Sequence, residues 1–366
     1  MLLLEKNVKE FCNSRLKYAE FLQHKGYTVA AYIPDTNPEL INIIKTKGIL
    51  VFKYSKIYNL LNLINAIISF KPSIIHSFKF ELHVLTVVVN FFSKSKIVLH
   101  ITGLGYLFSE KGCKYYRVLF MKLVYFILII KSFKVIFQNE EDRLELRFKG
   151  LFYKKYELIK GSGVDLIRFD KRKYNIAEIR KEIIIEENDI FILYVSRLLV
   201  QKGILELIEA IEELSFDYPN IKLCVIGSHK LKNNRFIPIS IFQKYKNSKK
   251  IILKSEINNI EKYFAIADFY VCPSYYREGI PRSSLEALAT GLPIISTNIG
   301  GCNLTVNNQN GILVEPHSVL ELKNAIKNML KSKFKWDKMG TSSRNLAKKE
   351  FANNIIFKQF ENTYIS

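Results

Sequence analysis

The chain has little of what would mark a specialised class of protein. Its 366 residues include only five cysteines, Cys12, Cys113, Cys224, Cys272 and Cys302, scattered along the chain with no C-x-x-C pair. That pattern excludes a zinc knuckle and a disulfide-stapled secreted fold, and fits a reducing compartment. Sixteen glycines and nine prolines are too few for a collagen-like or low-complexity chain. Long apolar runs are missing as well. The nearest, Leu123–Ile130, is bounded by Lys122 and Lys131 and falls short of the ~18–20 residues a spanning helix needs. At the start, Met1–Leu4 is followed at once by Glu5, Lys6, Lys9 and Glu10, too soon for a secretory leader. The expectation is a cytoplasmic chain, or one lying on the inner face of a membrane without crossing it. Acidic residues are also scarce: 34 against 55 Lys and Arg, a net charge of +21. Residues 1–160 hold 25 basic and 12 acidic side chains, net +13, and the remainder is net +8. Such an excess implies an anionic partner, whether nucleic acid, anionic lipid or a phosphorylated substrate.

What is present is a rhythm. Short apolar runs (Thr28–Ile33, Ile49–Phe52, Ser73–His76, Ile97–Thr102, Lys134–Phe137) alternate with helical segments such as Ser14–Lys25 and Tyr58–Phe70. The second half repeats the alternation. Strands are expected at Phe191–Ser196, Lys222–Gly227, Ile251–Lys254, Phe269–Pro273, Pro293–Thr297 and Gly311–Val314. Helices are expected at Gly203–Leu214, Asn259–Ala267, Arg282–Thr290 and Val319–Leu330. Nearly continuous apolar strands between helices predict parallel sheets covered on both faces. The length exceeds one ordinary core. An α/β chain of two Rossmann-like domains facing a central cleft follows. Their bounds are set at 1–160 and 161–345, and a terminal helix over 346–366 packs back on the first.

Chemistry concentrates in Tyr276–Gly301. Glu278 and Gly279 stand in a strand-to-helix loop; Pro281 suits the first position of a helix that Gly291 and Pro293 stop. The amides around Arg282–Ser284 form a helix N-terminus, which favours phosphate oxygens. Glu278 and Glu286 suit acceptors of sugar hydroxyls better than anion binders, though a solvated loop charge and a helix-start acid explain them nearly as well when taken alone. Arg197 and Lys202 follow an apolar strand, and a buried cation there needs a partner. They read as a diphosphate clamp, with a salt bridge as the plain alternative.

These residues resemble a known pattern. Glu278-x7-Glu286 followed by Ala-Leu-Ala-Thr-Gly-Leu-Pro, Ser196-Arg197-Leu198 with Gln201-Lys202-Gly203, and Gly161-Ser162-Gly163-Val164-Asp165 with Phe169 are similar to the signatures of retaining glycosyltransferases of family 4, which have the GT-B fold. Ile101-Thr102-Gly103-Leu104-Gly105-Tyr106 and Phe137-Gln138-Asn139 resemble a bacterial polysaccharide subgroup that includes undecaprenyl-diphosphate-sugar N-acetylgalactosaminyltransferases. The resemblance implies catalytic roles for Glu278, Arg197 and Lys202, and donor binding by Glu286, Gly279, Ile280, Pro281, Arg282 and Ser283. It implies an acceptor side near Thr102, Gly103 and His100. Where many relatives carry a histidine after the matching strand, this chain has Thr102, and a structural role for His100 and His76 is the plainer reading. Met1–Ser14 contains no glycine, a departure from the usual phosphate-facing loop.

The implied reaction is metal-independent transfer of an N-acetylhexosamine from a UDP-sugar to a lipid-diphosphate-linked saccharide, in O-antigen or capsule assembly at the cytoplasmic membrane. The alternatives are a sugar-nucleotide epimerase of the same fold and a non-catalytic membrane-associated scaffold. The aromatic and basic segment Lys111–Lys134 suits a helix lying at an anionic bilayer, or a core helix of a Rossmann domain. No nucleic-acid signature is found, so that partner is set aside.

Overall fold

The computed structural model describes residues 1–55, 59–90, 93–105, 108, 115–228, 235–255 and 257–365. The chain forms two compact units, Met1–Gly163 with Asn353–Ser366, and Val164–Ala352.

The first unit is built on seven parallel strands: β1 (Leu2–Leu4), β2 (Ala30–Pro34), β3 (Leu50–Tyr54), β4 (Ile74–Ser77), β5 (Lys96–Ile101), β6 (Lys134–Phe137) and β7 (Tyr156–Leu158). Their order is β3-β2-β1-β4-β5-β6-β7. Five match the expected runs; β1 and β7 do not. Three residues are too few to show a period, so Leu2–Leu4 reads only as an apolar start. In the fold it is an inner strand, with Leu3 paired to Ala31 on one side and His76 on the other. Alternation sends Leu3 to one face, with Phe11, Tyr18 and Ala31, and Leu2 and Leu4 to the other, with Tyr32 and Leu63. The helix Asn353–Ile365 belongs to this unit and packs Ile356, Phe357, Phe360 and Tyr364 against the Leu3 face. Within Lys111–Lys134, the helix runs over Tyr115–Lys131 and Lys134 opens β6. Residues 111–114 lie outside the described residues, as does Tyr106.

The second unit has six parallel strands, each within a residue of its expected ends. They are β8 (Ile190–Val195), β9 (Ile221–Ile226), β10 (Ile251–Lys254), β11 (Phe269–Cys272), β12 (Ile294–Thr297) and β13 (Gly311–Val314). Their order is β10-β9-β8-β11-β12-β13. Alternate residues of β8 feed opposite cores, Ile192 and Tyr194 to one and Phe191 and Leu193 to the other. That double burial is why the strand is apolar throughout. Short helices at Ile176–Glu182, Ile239–Gln243 and Gly300–Asn303 were not anticipated, since each is under three turns.

In both sheets the strand order reverses at the first strand, between β1 and β4 and between β8 and β11. Open α/β sheets bind ligands outside the carboxyl ends of the strands at such a point.

Candidate functional site

The loops leaving β8 and β11 meet at the second unit's reversal point. After β8 the chain runs through Arg197 into a tight turn at Val200–Lys202, and Gly203, at φ +70°, starts the helix Ile204–Asp217. A Cβ at Gly203 would lie 2.1 Å from the carbonyl oxygen of Pro273, so a glycine lets this turn nest against the loop after β11. The Tyr275 amide donates to the Gln201 carbonyl at 3.0 Å, and the Tyr194 hydroxyl to the Lys202 carbonyl at 3.3 Å.

Lys202 is thereby held almost wholly buried, at 5% exposure. Its Nζ donates to Glu278 Oε1, which also accepts from Ser274 Oγ at 3.1 Å. A buried ammonium without a countercharge costs several kcal/mol, and Glu278 supplies it. Ser274 is itself fixed, its carbonyl accepting from Thr297 Oγ. Arg197 is exposed, with its guanidinium 5.9 Å from the Tyr276 ring centre, while Lys202 Nζ is 5.3 Å from the same ring. The structure therefore brings Arg197, Lys202 and Glu278 to one place and adds Ser274 and Tyr276, which sequence reasoning missed.

The helix Arg282–Thr290 follows. Pro281, at φ −59° and ψ 124°, is the residue before the helix rather than its first residue; its extended ψ places it outside. Gly291 closes the helix at φ +84°. Among the described residues no side chain caps the first turn, which also holds no acidic residue. Arg282 Nε donates to Glu286 Oε1 at 2.9 Å, four residues on. Glu286 is buried, and desolvation raises its carboxyl above the ordinary range against the pull of Arg282 and Arg168. Ser283 Oγ accepts from the Tyr270 hydroxyl at 2.7 Å, tying the helix start to β11. Gly279 and Ile280 are buried beneath a close backbone approach: a Cβ at Gly301 would lie 1.7 Å from the Gly279 carbonyl oxygen. Gly301 was also missed, although a Gly-Gly pair just past a strand was the available signal.

The first unit's reversal point is packed differently. His100 is fully buried, and its Nε2 lies 3.0 Å from Gln138 Nε2. His76 sits inside β4 rather than ending it, with Nδ1 2.6 Å from the Tyr364 hydroxyl. Their rings stack at 5.6 Å. His83 Nδ1 lies 2.7 Å from Ser77 Oγ. Beside them Glu5 Oε2 is 3.5 Å from Arg15 Nε, both side chains buried. Desolvation, with Glu10 adding to it, raises the Glu5 carboxyl to about 7. Burial lowers His83 to about 3 and keeps His76 and His100 well below the usual imidazole range. Thr102 Oγ donates to the Phe78 carbonyl at 3.4 Å, and Gly103 is at φ +126°. Asn139, from the Phe137-Gln138-Asn139 run, caps the helix Glu140–Glu145 by accepting from the Asp142 amide at 2.8 Å. No sequence signal joined Glu5, Arg15, His76 and His83.

Residues 175–346 match the family described as glycosyl transferases group 1. The capsular polysaccharide biosynthesis glycosyltransferase CapM of Staphylococcus aureus is 24% identical over 355 residues, covering 94% of this chain and 91% of that protein. The UDP-Gal:alpha-D-GlcNAc-diphosphoundecaprenol alpha-1,3-galactosyltransferase of Escherichia coli is 30% identical over 215 residues, covering 56% of this chain and 54% of that protein. The chain thus spans nearly all of the first relative and about half of the second. Among solved structures, Anabaena HepE in complex with UDP and glucose superposes with a TM-score of 0.83 at 16% identity, covering 100% of this chain and 98% of that one. Sucrose-phosphate synthase from Thermosynechococcus elongatus gives 0.79 at 18% identity, covering 100% and 98%. The two Rossmann-like sheets are those of the GT-B fold, and the second unit resembles the glycosyl transferases of group 1 over residues 175–346.

Proposed function

We propose that the chain is a metal-independent, retaining hexosyltransferase. In this reading it moves an N-acetylhexosamine from a UDP-sugar to a lipid-diphosphate-linked saccharide in bacterial surface-glycan assembly, of the O-antigen or capsule kind. The observation that carries the reading is the pairing of buried Lys202 with half-buried Glu278, beside a helix start that holds Arg282 and that no side chain among the described residues caps. A cation in the first turn opposes the helix dipole, and Arg placed four residues before Glu is the weaker order for a helical pair. Helix stability alone therefore does not explain Arg282. An anionic ligand fits there, because the helix-start amides, Arg197, Lys202 and Arg282 can share its charge.

On this reading the leaving diphosphate gathers charge as the glycosidic bond breaks, and Arg197, Lys202 and the amides of Gly279, Arg282 and Ser283 stabilise it. Glu286 accepts from ribose hydroxyls, and Glu278 from the transferred sugar. The acceptor attacks from the face that the diphosphate leaves, and a donor phosphate oxygen takes its proton, so the transferred sugar keeps its anomeric configuration. Thr102, Gly103 and the His100 neighbourhood form the acceptor side. The relatives agree in kind. HepE has been crystallised with UDP and glucose, CapM is named for capsular polysaccharide, and the E. coli enzyme for a diphosphoundecaprenol substrate and an α-1,3 linkage.

The test is UDP release across a panel of UDP-sugars, with and without a lipid-diphosphate saccharide, followed by NMR of the product anomer. Acceptor-dependent UDP release with an α product is expected. An inverted product ends the retaining assignment. Epimerised free sugar without acceptor supports the epimerase, and no turnover of any donor supports the scaffold.

A further inference from the structure

The helix Tyr115–Lys131 is apolar on two opposite faces. Its inner face, with Tyr125, Leu128 and Ile129, packs on Leu99, Ile101, Val135 and Phe137. The outer face carries Tyr116, Leu119, Phe120, Leu123, Ile127 and Ile130, all 44–63% exposed. At 3.6 residues per turn these six fall within about 100° of arc, a single stripe some 20 Å long. Scattered exposed apolar residues need no explanation, but a continuous stripe of this length marks an interaction surface.

The charges around the stripe select its occupant. Arg117 and Lys131, both exposed, border it on one side. Lys122 lies on the other side, 2.6 Å from Glu145. No acidic residue occurs in Tyr115–Lys131, and residues 1–160 are net +13. A second copy of this chain would bring the same positive charge against the stripe; an anionic bilayer brings the opposite charge. Long basic side chains beside an apolar stripe reach headgroups while the stripe enters the acyl boundary. No helix among the described residues is long and apolar enough to cross a membrane, so the contact is interfacial.

We propose that the outer face of the helix Tyr115–Lys131 docks the first unit onto an anionic phospholipid bilayer. Phe120 and Leu123 insert, and Arg117 and Lys131 contact phosphate headgroups. The proposal rests on this helix alone and stands whatever the sugar donor proves to be.

The experiment is cosedimentation of the full chain with mixed phosphatidylglycerol–phosphatidylcholine vesicles and with pure phosphatidylcholine vesicles. The wild type is expected to pellet with the anionic vesicles. Phe120→Ser/Leu123→Ser lowers partitioning at least about tenfold at every salt concentration, because apolar burial is lost. Arg117→Glu/Lys131→Glu weakens binding at low salt only. Equal pelleting of the serine variant and the wild type overturns the proposal. So does a wild type that fails to bind vesicles but sediments as a dimer the serine variant abolishes. Should the serine variant lose its circular dichroism, Leu123→Trp replaces it as probe: a blue shift of its emission on adding anionic vesicles supports insertion, and an unchanged spectrum overturns it.

Discussion

At the carboxyl end of β1, β4 and β5 the first unit buries Glu5, Arg15, His76 and His100. At the carboxyl end of β8 and β11 the second unit buries Lys202, leaves Glu278 half-buried and exposes Arg197. The strand orders at the two reversal points are the same, so topology sets where polar groups gather, not how open they are. In the first unit the lid is its own C-terminal helix, whose Tyr364 reaches His76 and Tyr18. In the second unit the loops are nested tightly by Gly203 and Gly301, yet charge stays at the surface of the nest. The first arrangement holds its histidines neutral by desolvation. The second keeps fixed charges paired with one another, ready to be shared with a ligand.

The strongest break of this contrast is Lys202→Met. It leaves Glu278 without its cation, and loss of one member of a buried pair costs ~3–5 kcal/mol, near the lower end here because Glu278 retains some solvent. Urea unfolding should show the loss, and UDP-sugar turnover should fall about a hundredfold or more with it. Lys202→Met/Glu278→Met should regain much of the stability while staying inactive. If the double variant is active, the pair is structural only.

In the first unit the corresponding change is Glu5→Gln, read against pH. The carboxyl, facing Arg15, Glu10, Lys79 and the Lys6 amide, is raised from 4.5 to about 7. Between those values the folded chain binds the proton more tightly than the unfolded chain, so this stabilisation is full below about pH 4.5 and is lost as pH rises from there through about 7. Wild type should therefore lose up to about 3 kcal/mol relative to Glu5→Gln between pH 5 and 8. Parallel pH profiles of the two proteins would show that Glu5 is not desolvated.

Within the second unit, Glu286→Ala should raise KM for the donor, and Glu278→Ala should mainly lower turnover. Each loses a charged hydrogen bond of ~1.5–3 kcal/mol. Full activity of both would remove the carboxylates from the site. The smallest effect sharpens the electrostatic reading: EDTA should leave activity unchanged, because side-chain cations and helix amides carry the donor's charge. Loss in EDTA that Mg²⁺ or Mn²⁺ restores would replace that account.

The second unit was the more legible half. Its strands are mostly apolar runs four to six residues long, and its helix Arg282–Thr290 is bounded by Pro281 and Gly291, whose backbone preferences are local properties of those residues. The first unit hid one of its inner strands. Leu2–Leu4 shows no alternation, because both its faces are buried and it is only three residues long. The stretch Lys111–Lys134 read equally well as core or as surface; the helix is both, one face in the core and the other exposed.

The sequence by itself determined the class of fold, the alternation of strand and helix, and the residue types of the loops after β8 and β11, because each depends on periodicity or on the preferences of neighbouring residues. Only the tertiary structure decided which charges meet. Lys202 finds Glu278 across 76 positions, and Tyr364 finds His76 across 288. Residues so far apart carry no mark of each other in the chain. Strand order and burial bring them together, and burial then makes their pairing obligatory by raising the cost of leaving a charge or a hydrogen-bonding group alone.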